Sequence, residues 1–284
     1  VNTYTTVVRR HHLAHEDFTA YWRDAHGPLC SRLPGLGLYV QHHFSRTHDA
    51  HLWPGHDDLP PLPHHVLDGA VEIGFASPDD QAVFQDASPL LFSDEQNVFA
   101  QTLAYDLPHG SQTLRDTDPD PTPNRAEPGD RLHVHLHARP GALADLAAGV
   151  QQDLAPALLA DPGLVKLRLH LPTARDGDAE QPPAPDVDHH AAPQRRELVV
   201  AEIAFPDALT RRRALEGPAV RRALRVLAGS ATHATAFAVS GVYTFVRDGR
   251  LTTAGLRGSR TAELITALAA VNQLDGRVER LFHP

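Results

Sequence analysis

The chain has 284 residues, 42% hydrophobic and 21% charged, with a net charge of −9. That is the make-up of an ordinary globular protein of one large or two modest domains. The acidic balance argues against a nucleic-acid partner or an anionic membrane surface, and no apolar run is long enough to span a bilayer.

One cysteine, Cys30, excludes an internal disulfide and a cysteine-based zinc site. The N-terminus shows no basic segment followed by an apolar one, and Val1 reads as an initiator from an alternative start codon. A cytoplasmic location is therefore expected. The 20 histidines read mostly as solvated loop residues.

In chain order, Thr3–Arg9 is rich in β-branched residues and predicts a strand. A helix is expected from about His15 to Leu33, where Phe18, Trp22, Leu29 and Leu33 form a stripe and Pro34-Gly35 stops it. Leu38–Ser45 and Asp68–Ala76 read as the next two strands. Ser77-Pro78-Asp79-Asp80 opens a short helix with an N-cap and a proline in its first turn. Asn97–Asp106 reads as the fourth strand. The pattern then repeats. Pro34-Gly35-Leu36 recurs as Pro162-Gly163-Leu164, and Phe18 and Trp22 fall on Leu146 and Val150 at the same offset. At a slightly longer offset Val71-Glu72-Ile73-Gly74-Phe75 recurs as Ala201-Glu202-Ile203-Ala204-Phe205. In the second copy Leu132–Ala138, Leu164–Leu171, Glu197–Phe205 and Thr235–Phe245 read as strands, and Ala142–Ala160 and Ala208–Leu227 as helices.

Each copy thus reads as β-α-β-β-α-β, the ferredoxin-like split βαβ unit. The division is 1–110 for the first domain, 111–130 for a linker, 131–250 for the second domain and 251–284 for a helical extension that docks on the body or on a neighbouring subunit. Three segments are rich in Pro and Asp: Asp49–His65, His109–Asp130 and Thr173–Gln194. The first and last fall between strands two and three of each copy, as a pocket lid or an unstructured excursion. A sheet with helices on one face must cover the other, and the second copy can do so. The expected fold is α+β, two tandem ferredoxin-like domains closing an α/β barrel within one chain.

The run Phe18-x-x-x-Trp22-x-x-x-His26-x-Pro28-Leu29, then Leu33-Pro34-Gly35-Leu36-x-x-Tyr39-x-Gln41-x-His43, resembles the EthD domain. So do Asp68-Gly69-Ala70-x-Glu72-x-x-Phe75 and Asp94-Glu95-x-Asn97-x-Phe99. The resemblance spans about Val7–Leu107; the second copy keeps the outline without the polar motif. It implies the dimeric α/β-barrel group. That group holds cofactor-free methylmuconolactone isomerases, polyketide dehydratases, decarboxylases and cyclases, quinone-forming monooxygenases and members without a known reaction. His26 and Tyr39 are spaced like a His and Tyr of the isomerase site. That enzyme's active-site cysteine would fall at Ile73, so its mechanism does not carry over whole. A further His of that site would match His48 or His51.

The residues point the same way. His26 lies on an otherwise apolar helical stripe, where an imidazole needs a partner. Tyr39, Gln41 and His43 alternate along one strand and share a face. His26, Tyr39, His43 and Glu72 are the candidate catalytic residues; Phe18, Trp22, Gln41 and His51 are the candidate substrate contacts. His26 would move a proton and Tyr39 would polarise an oxygen. A hydrogen-bonded core histidine beside a structural tyrosine is the competing reading. Glu72 has a counterpart, Glu202, where His26 has become Leu154 and Tyr39 Leu167, which argues for a partly structural role. Asp94 reads as a local cap or ion-pair partner.

His133, His135 and His137 alternate on one strand, with Glu202 and His233 brought near, and are an alternative metal or haem site; otherwise they form a polar strand face. Arg211-Arg212-Arg213 and Arg221-Arg222 read as a solvated helix face. Neither a phosphate loop nor a nucleophile elbow is present. The leading expectation is a cofactor-independent acid–base enzyme (isomerase, cyclase or dehydratase) for a small hydrophobic polyketide-like or phenolic substrate, with a homodimer of the fused chain left open. A cofactor-free monooxygenase, a metal or haem protein and a non-catalytic binding protein are the alternatives.

Overall fold

The computed structural model describes residues 2–46, 53, 59–177 and 182–282. Nine strands run in one path: β1 (Asn2–Arg9), β2 (Leu38–Phe44), β3 (Gly69–Gly74), β4 (Phe99–Leu107) and β5 (Gln112–Asp116), then β7 (Asp130–Ala138), β8 (Lys166–His170), β9 (Leu198–Phe205) and β10 (Ala231–Arg247). Short β6 (Asn124–Ala126) and β11 (Arg250–Leu251) hang from β10. The order is β4-β1-β3-β2-β10-β7-β9-β8-β5. Each half is a β4-β1-β3-β2 type sheet with antiparallel pairs, and the two halves form the α+β barrel expected from the repeat.

Strand β10 joins the halves. Its first part, Ala231–Ala238, pairs with β7, and its second part, Val239–Val246, pairs with β2. The reciprocal crossing is made by β5, which follows β4 closely and pairs with β8. Segment 111–130, expected to be a linker, is therefore partly strand: β5 and β6 are sheet members. Backbone donors on a sheet edge need partners, and the neighbouring half supplies them.

Apolar side chains sort into three layers. One packs the N-terminal helices on the outer face of the first sheet, around Trp22, Tyr39 and Phe99. A second does the same in the C-terminal half, around Leu146, Val150 and Leu224. The third lies inside the barrel, between the sheets, and includes Tyr4, Phe44, Tyr105 and Val200.

The first long helix is three segments: α-helical His15–Tyr21, a π turn over Trp22–His26, and α-helical Gly27–Ser31. The second copy repeats the device, with its π turn at Val150–Leu154. The two π turns align at the offset read from Pro34 and Pro162, so a feature with no sequence signature of its own is duplicated too.

Two elements and one side chain differ from the sequence reading. The fourth strand starts at Phe99, because a second helix, Pro89–Val98, follows Pro78–Ala87 and takes up Asn97. Ala208–Leu227 is two helices, broken where Gly217 and Pro218 interrupt the hydrogen-bond ladder. Arg211 is not solvated: it is buried and its Nε donates to Asp130 Oδ1 at 2.7 Å, whereas Arg212, Arg213, Arg221 and Arg222 are exposed. The C-terminal extension docks on the first helix. Ser31 Oγ donates to Gly255 O at 3.1 Å, and Asp24 Oδ1 accepts from Arg260 N at 2.9 Å. Among the described residues no helix is long and apolar enough to cross a membrane.

Candidate active site

A cavity of about 520 Å³ lies between the outer face of the N-terminal sheet and its helices. Its floor is the outward face of β1 and β3: Thr3, Thr5, Val7, Val71 and Ile73. Its walls are Trp22, His26 and Cys30 of the first helix, Tyr39 of β2, and Phe84, Leu91, Phe92 and Glu95 of the next two helices. The fourth side comes from the other half of the chain. Thr173, Arg175, Pro182 and His189 line it, carried by the Pro-rich segment after β8. That segment is pinned to β4, where Thr102 N donates to Asp188 O and Asp188 N to Ala100 O, and Thr102 Oγ1 meets His189 Nδ1 at 2.9 Å. Of the two readings given for this segment, the structure shows the one that covers a pocket.

The apolar stripe positions the wall. Phe18 and Trp22 pack at 5.5 Å between ring centroids, and Trp22 stacks on His43 at 4.3 Å and 16°. The Trp22 ring occupies the space above Gly69, where a Cβ would fall 2.4 Å from it. The π turn lets Trp22 and His26 face the sheet together; such turns concentrate at functional sites.

His26 Nδ1 donates to Asp94 Oδ2 at 2.8 Å. This fixes Nε2 as the basic nitrogen of the ring, as an aspartate does for a catalytic histidine. Asp94 Oδ1 accepts from Tyr21 Oη at 2.6 Å and from Asn97 Nδ2 at 3.2 Å. Burial raises the Asp94 pKa, but the hydrogen bonds from His26 and Tyr21 outweigh it, and the net shift is downward.

Tyr39 Oη accepts from Gln41 Nε2 at 2.8 Å, and the same amide nitrogen donates to Trp22 O at 3.0 Å. Burial pushes the Tyr39 phenol well above its usual pKa, as it does the Cys30 thiol beside it. Glu95 is the outlier. Burial pushes its carboxyl up to about 7, partly offset by His26 and reinforced by Asp94, and Oε2 is buried without a protein partner.

Several expected site residues lie elsewhere. Glu72 does not join His26 and Tyr39: Val71 and Ile73 line the cavity, so side-chain alternation sends Glu72 to the other face of the sheet, inside the barrel. There it pairs with Arg168 Nη2 at 2.7 Å and accepts from Ser111 Oγ at 2.8 Å. Burial alone would raise its pKa, but the Arg168 charge dominates and holds it well below the carboxylate range. Phe18, Gln41 and His43 are buried behind the cavity wall and do not line it. His43 Nε2 bonds Gln41 Oε1 at 2.9 Å, and burial, with Arg23 nearby, holds the ring well below its ordinary pKa and so neutral. His48 and His51 lie outside the described residues.

The strand histidines do not converge as a trio. Tyr4 Oη sits between His133 Nδ1 at 2.8 Å and His135 Nε2 at 3.0 Å. His137 turns away, its Nδ1 donating to Gln194 O at 3.1 Å. All three are buried, and desolvation lowers each pKa, that of His137 to about 3.

Glu95 has no assigned role in the sequence pattern, and the Thr173–Gln194 segment covers the cavity of the other half rather than one of its own. Glu95 had a signal: Leu91, Glu95 and Val98 share one helical face, so a carboxylate lies on an apolar stripe just as His26 does.

The fold and the cavity together define an α/β barrel protein with a polar-studded apolar pocket in its N-terminal half. Residues 10–102 match the model of the EthD domain, about a third of the chain. No curated protein matches the chain in sequence. Among solved structures, a putative monooxygenase of Fusobacterium nucleatum is similar at 7% identity, over 88% of this chain and 95% of that one, with a TM-score of 0.50. A putative monooxygenase of Lactobacillus acidophilus is similar at 10% identity, over 86% and 95%, with a TM-score of 0.47. An anthrone oxidase-like protein is similar at 9% identity, over 86% and 92%, also at 0.47. At 7% identity the likeness to the Fusobacterium nucleatum protein speaks for the fold alone.

Proposed function

We propose that the chain is an acid–base enzyme for a small, largely apolar, oxygenated substrate held in the N-terminal cavity. One observation carries this reading: an Asp94-oriented imidazole, a carboxyl with a pKa of about 7 and a buried phenol border the same apolar space. Two titratable groups in different environments are what proton removal and return require.

His26 Nε2 takes a proton from carbon or from a hydroxyl of the substrate. Tyr39 keeps its proton, because burial disfavours the phenolate, and donates to the oxygen on which charge develops. Glu95, poised between its two forms near neutral pH, returns a proton or takes the second one. Trp22, Phe92, Leu91 and Val71 exclude water and hold an aromatic or polyketide-like skeleton. Isomerisation, cyclisation and dehydration all fit, and in this reading none of them uses a cofactor.

The test is α-proton exchange of a bicyclic aryl ketone, β-tetralone, in deuterated buffer, followed by NMR. Wild type should exceed buffer, and His26→Ala should lower the rate by ~10²-fold or more while still unfolding cooperatively, at a melting temperature lowered no more than that of Asp94→Ala. No enzyme-dependent exchange, or an unchanged rate in His26→Ala, would overturn the reading. An oxygen electrode in the same assay separates proton transfer, which leaves dioxygen untouched, from a cofactor-free oxygenation.

A further inference from the structure

The barrel interior, on the face of the sheet opposite the cavity, carries a second set of chemistry-bearing side chains. It follows the internal repeat. Tyr4 is in register with Glu72, and His133 with Glu202. His42 and His170 occupy matching positions on β2 and β8, one beside Ala70 of β3 and the other beside Val200 of β9. The two halves thus offer Tyr4, His42 and Glu72 from one side and His133, His170 and Glu202 from the other, all buried. The symmetry is broken at one place: a tyrosine in the first half stands where the second half has an imidazole.

His42, His133 and Glu202 each bring a ligand atom to within 4.8 Å of the others'. The His42 and His133 ring centroids are 4.5 Å apart. Each of the three has one atom held by an outer partner and one left over. His133 Nδ1 meets Tyr4 Oη at 2.8 Å, and His133 Nε2 has no partner. His42 Nε2 lies 3.4 Å from Glu72 Oε1, and His42 Nδ1 has no partner. Glu202 Oε1 takes Arg131 Nη1 at 2.7 Å, and Glu202 Oε2 has no partner. Buried polar side-chain atoms without a protein partner are uncommon and call for an explanation. Three of them, one on each member of a convergent His, His, carboxylate set, match the pattern in which outer hydrogen bonds orient metal ligands.

We propose that the barrel interior binds a divalent transition-metal ion through His42, His133 and Glu202, with Tyr4, Glu72 and Arg131 as orienting partners. Two imidazoles and a carboxylate suit zinc or iron(II), and three protein ligands leave a position open. The neighbouring cluster of Glu72, His170 and Glu202 also converges. There, however, Arg168 clamps Glu72 and Ser111 holds His170 Nδ1, so the first set is the better ligand field. Lys166 and Arg131 flank Glu202, at 3.4 and 2.7 Å, and compete with a cation for its charge. The site works only because Oε2 is left free of both. It stands apart from the proposed proton-transfer site and does not depend on it.

The experiment is refolding of the full chain with Co²⁺ or Zn²⁺, exhaustive dialysis, metal analysis, and for Co²⁺ the visible ligand-field spectrum. Wild type should retain one ion per chain, and X-ray absorption should show nitrogen and oxygen ligands with imidazole scattering. Glu202→Gln and His133→Ala should each weaken binding by more than about 100-fold, and Tyr4→Phe by about tenfold. His137→Ala, which removes a buried imidazole with an unpartnered Nε2 on the same strand but off the cluster, should bind as wild type. Wild type retaining no metal, imidazole-free absorption spectra, or equal loss in His137→Ala and His133→Ala would each overturn the proposal. The spectroscopy on wild type decides the matter even where a variant fails to fold.

Discussion

His26 Nδ1 and Asp94 Oδ2 are 2.8 Å apart, although the two residues sit on different helices that close the cavity from two sides. The pair both orients the ring and ties the helices together. Asp94→Asn removes the charge and lets the amide present a donor to Nδ1, which favours the wrong tautomer. Turnover should fall by ~10²-fold or more while substrate affinity changes little. Asp94→Ala should also loosen the helix pair, read as a lower melting temperature. Equal turnover in wild type and Asp94→Asn would show that His26 is structural.

Glu95 makes a stability prediction whose sign is set by its raised pKa. The folded carboxyl titrates near 7 and an unfolded one near 4.5, so between those values the native state binds the extra proton. Stability from this group is therefore lost as pH rises through that window. Glu95→Gln, which cannot ionise, should gain on wild type across the window and keep the gain above it. Thermal melts from pH 4 to pH 8 give the measurement, and a difference independent of pH would refute the assigned environment.

Gly69 should tolerate no side chain. A Cβ there would lie 2.4 Å from the Trp22 ring and 2.6 Å from His42 O, and the backbone atom cannot yield as a flexible side chain would. Gly69→Ala should destabilise by about 1–3 kcal/mol and disturb the cavity wall, seen in denaturant unfolding and in a shifted Trp22 emission.

Tyr4 bridges His133 and His135 through one hydroxyl. Tyr4→Phe keeps the shape and strands two buried imidazole nitrogens, at a cost of about 1–3 kcal/mol. If the variant is as stable as wild type, the bridge carries no net stabilisation.

The sequence alone determined the repeat, the β-α-β-β-α-β order of each half and the apolar stripe that carries Trp22 and His26. It also determined that Tyr39, Gln41 and His43 share a face. These follow from periodicities of 3.6 and 2, which are local properties of a helix or strand. Only the tertiary structure decided what each face looks at. Glu72 has the same alternation as Val71 and Ile73, yet which of them meets the cavity depends on the register of β3 against β1 and β2 and on where the helices lie. Long-range geometry also chose β10 as the strand that joins the halves, buried Arg211 against Asp130, laid the segment after β8 over a pocket in the other half, and brought His42, His133 and Glu202 to one point. Contacts between residues far apart in the chain are set by how two sheets pack, and no local pattern records that packing.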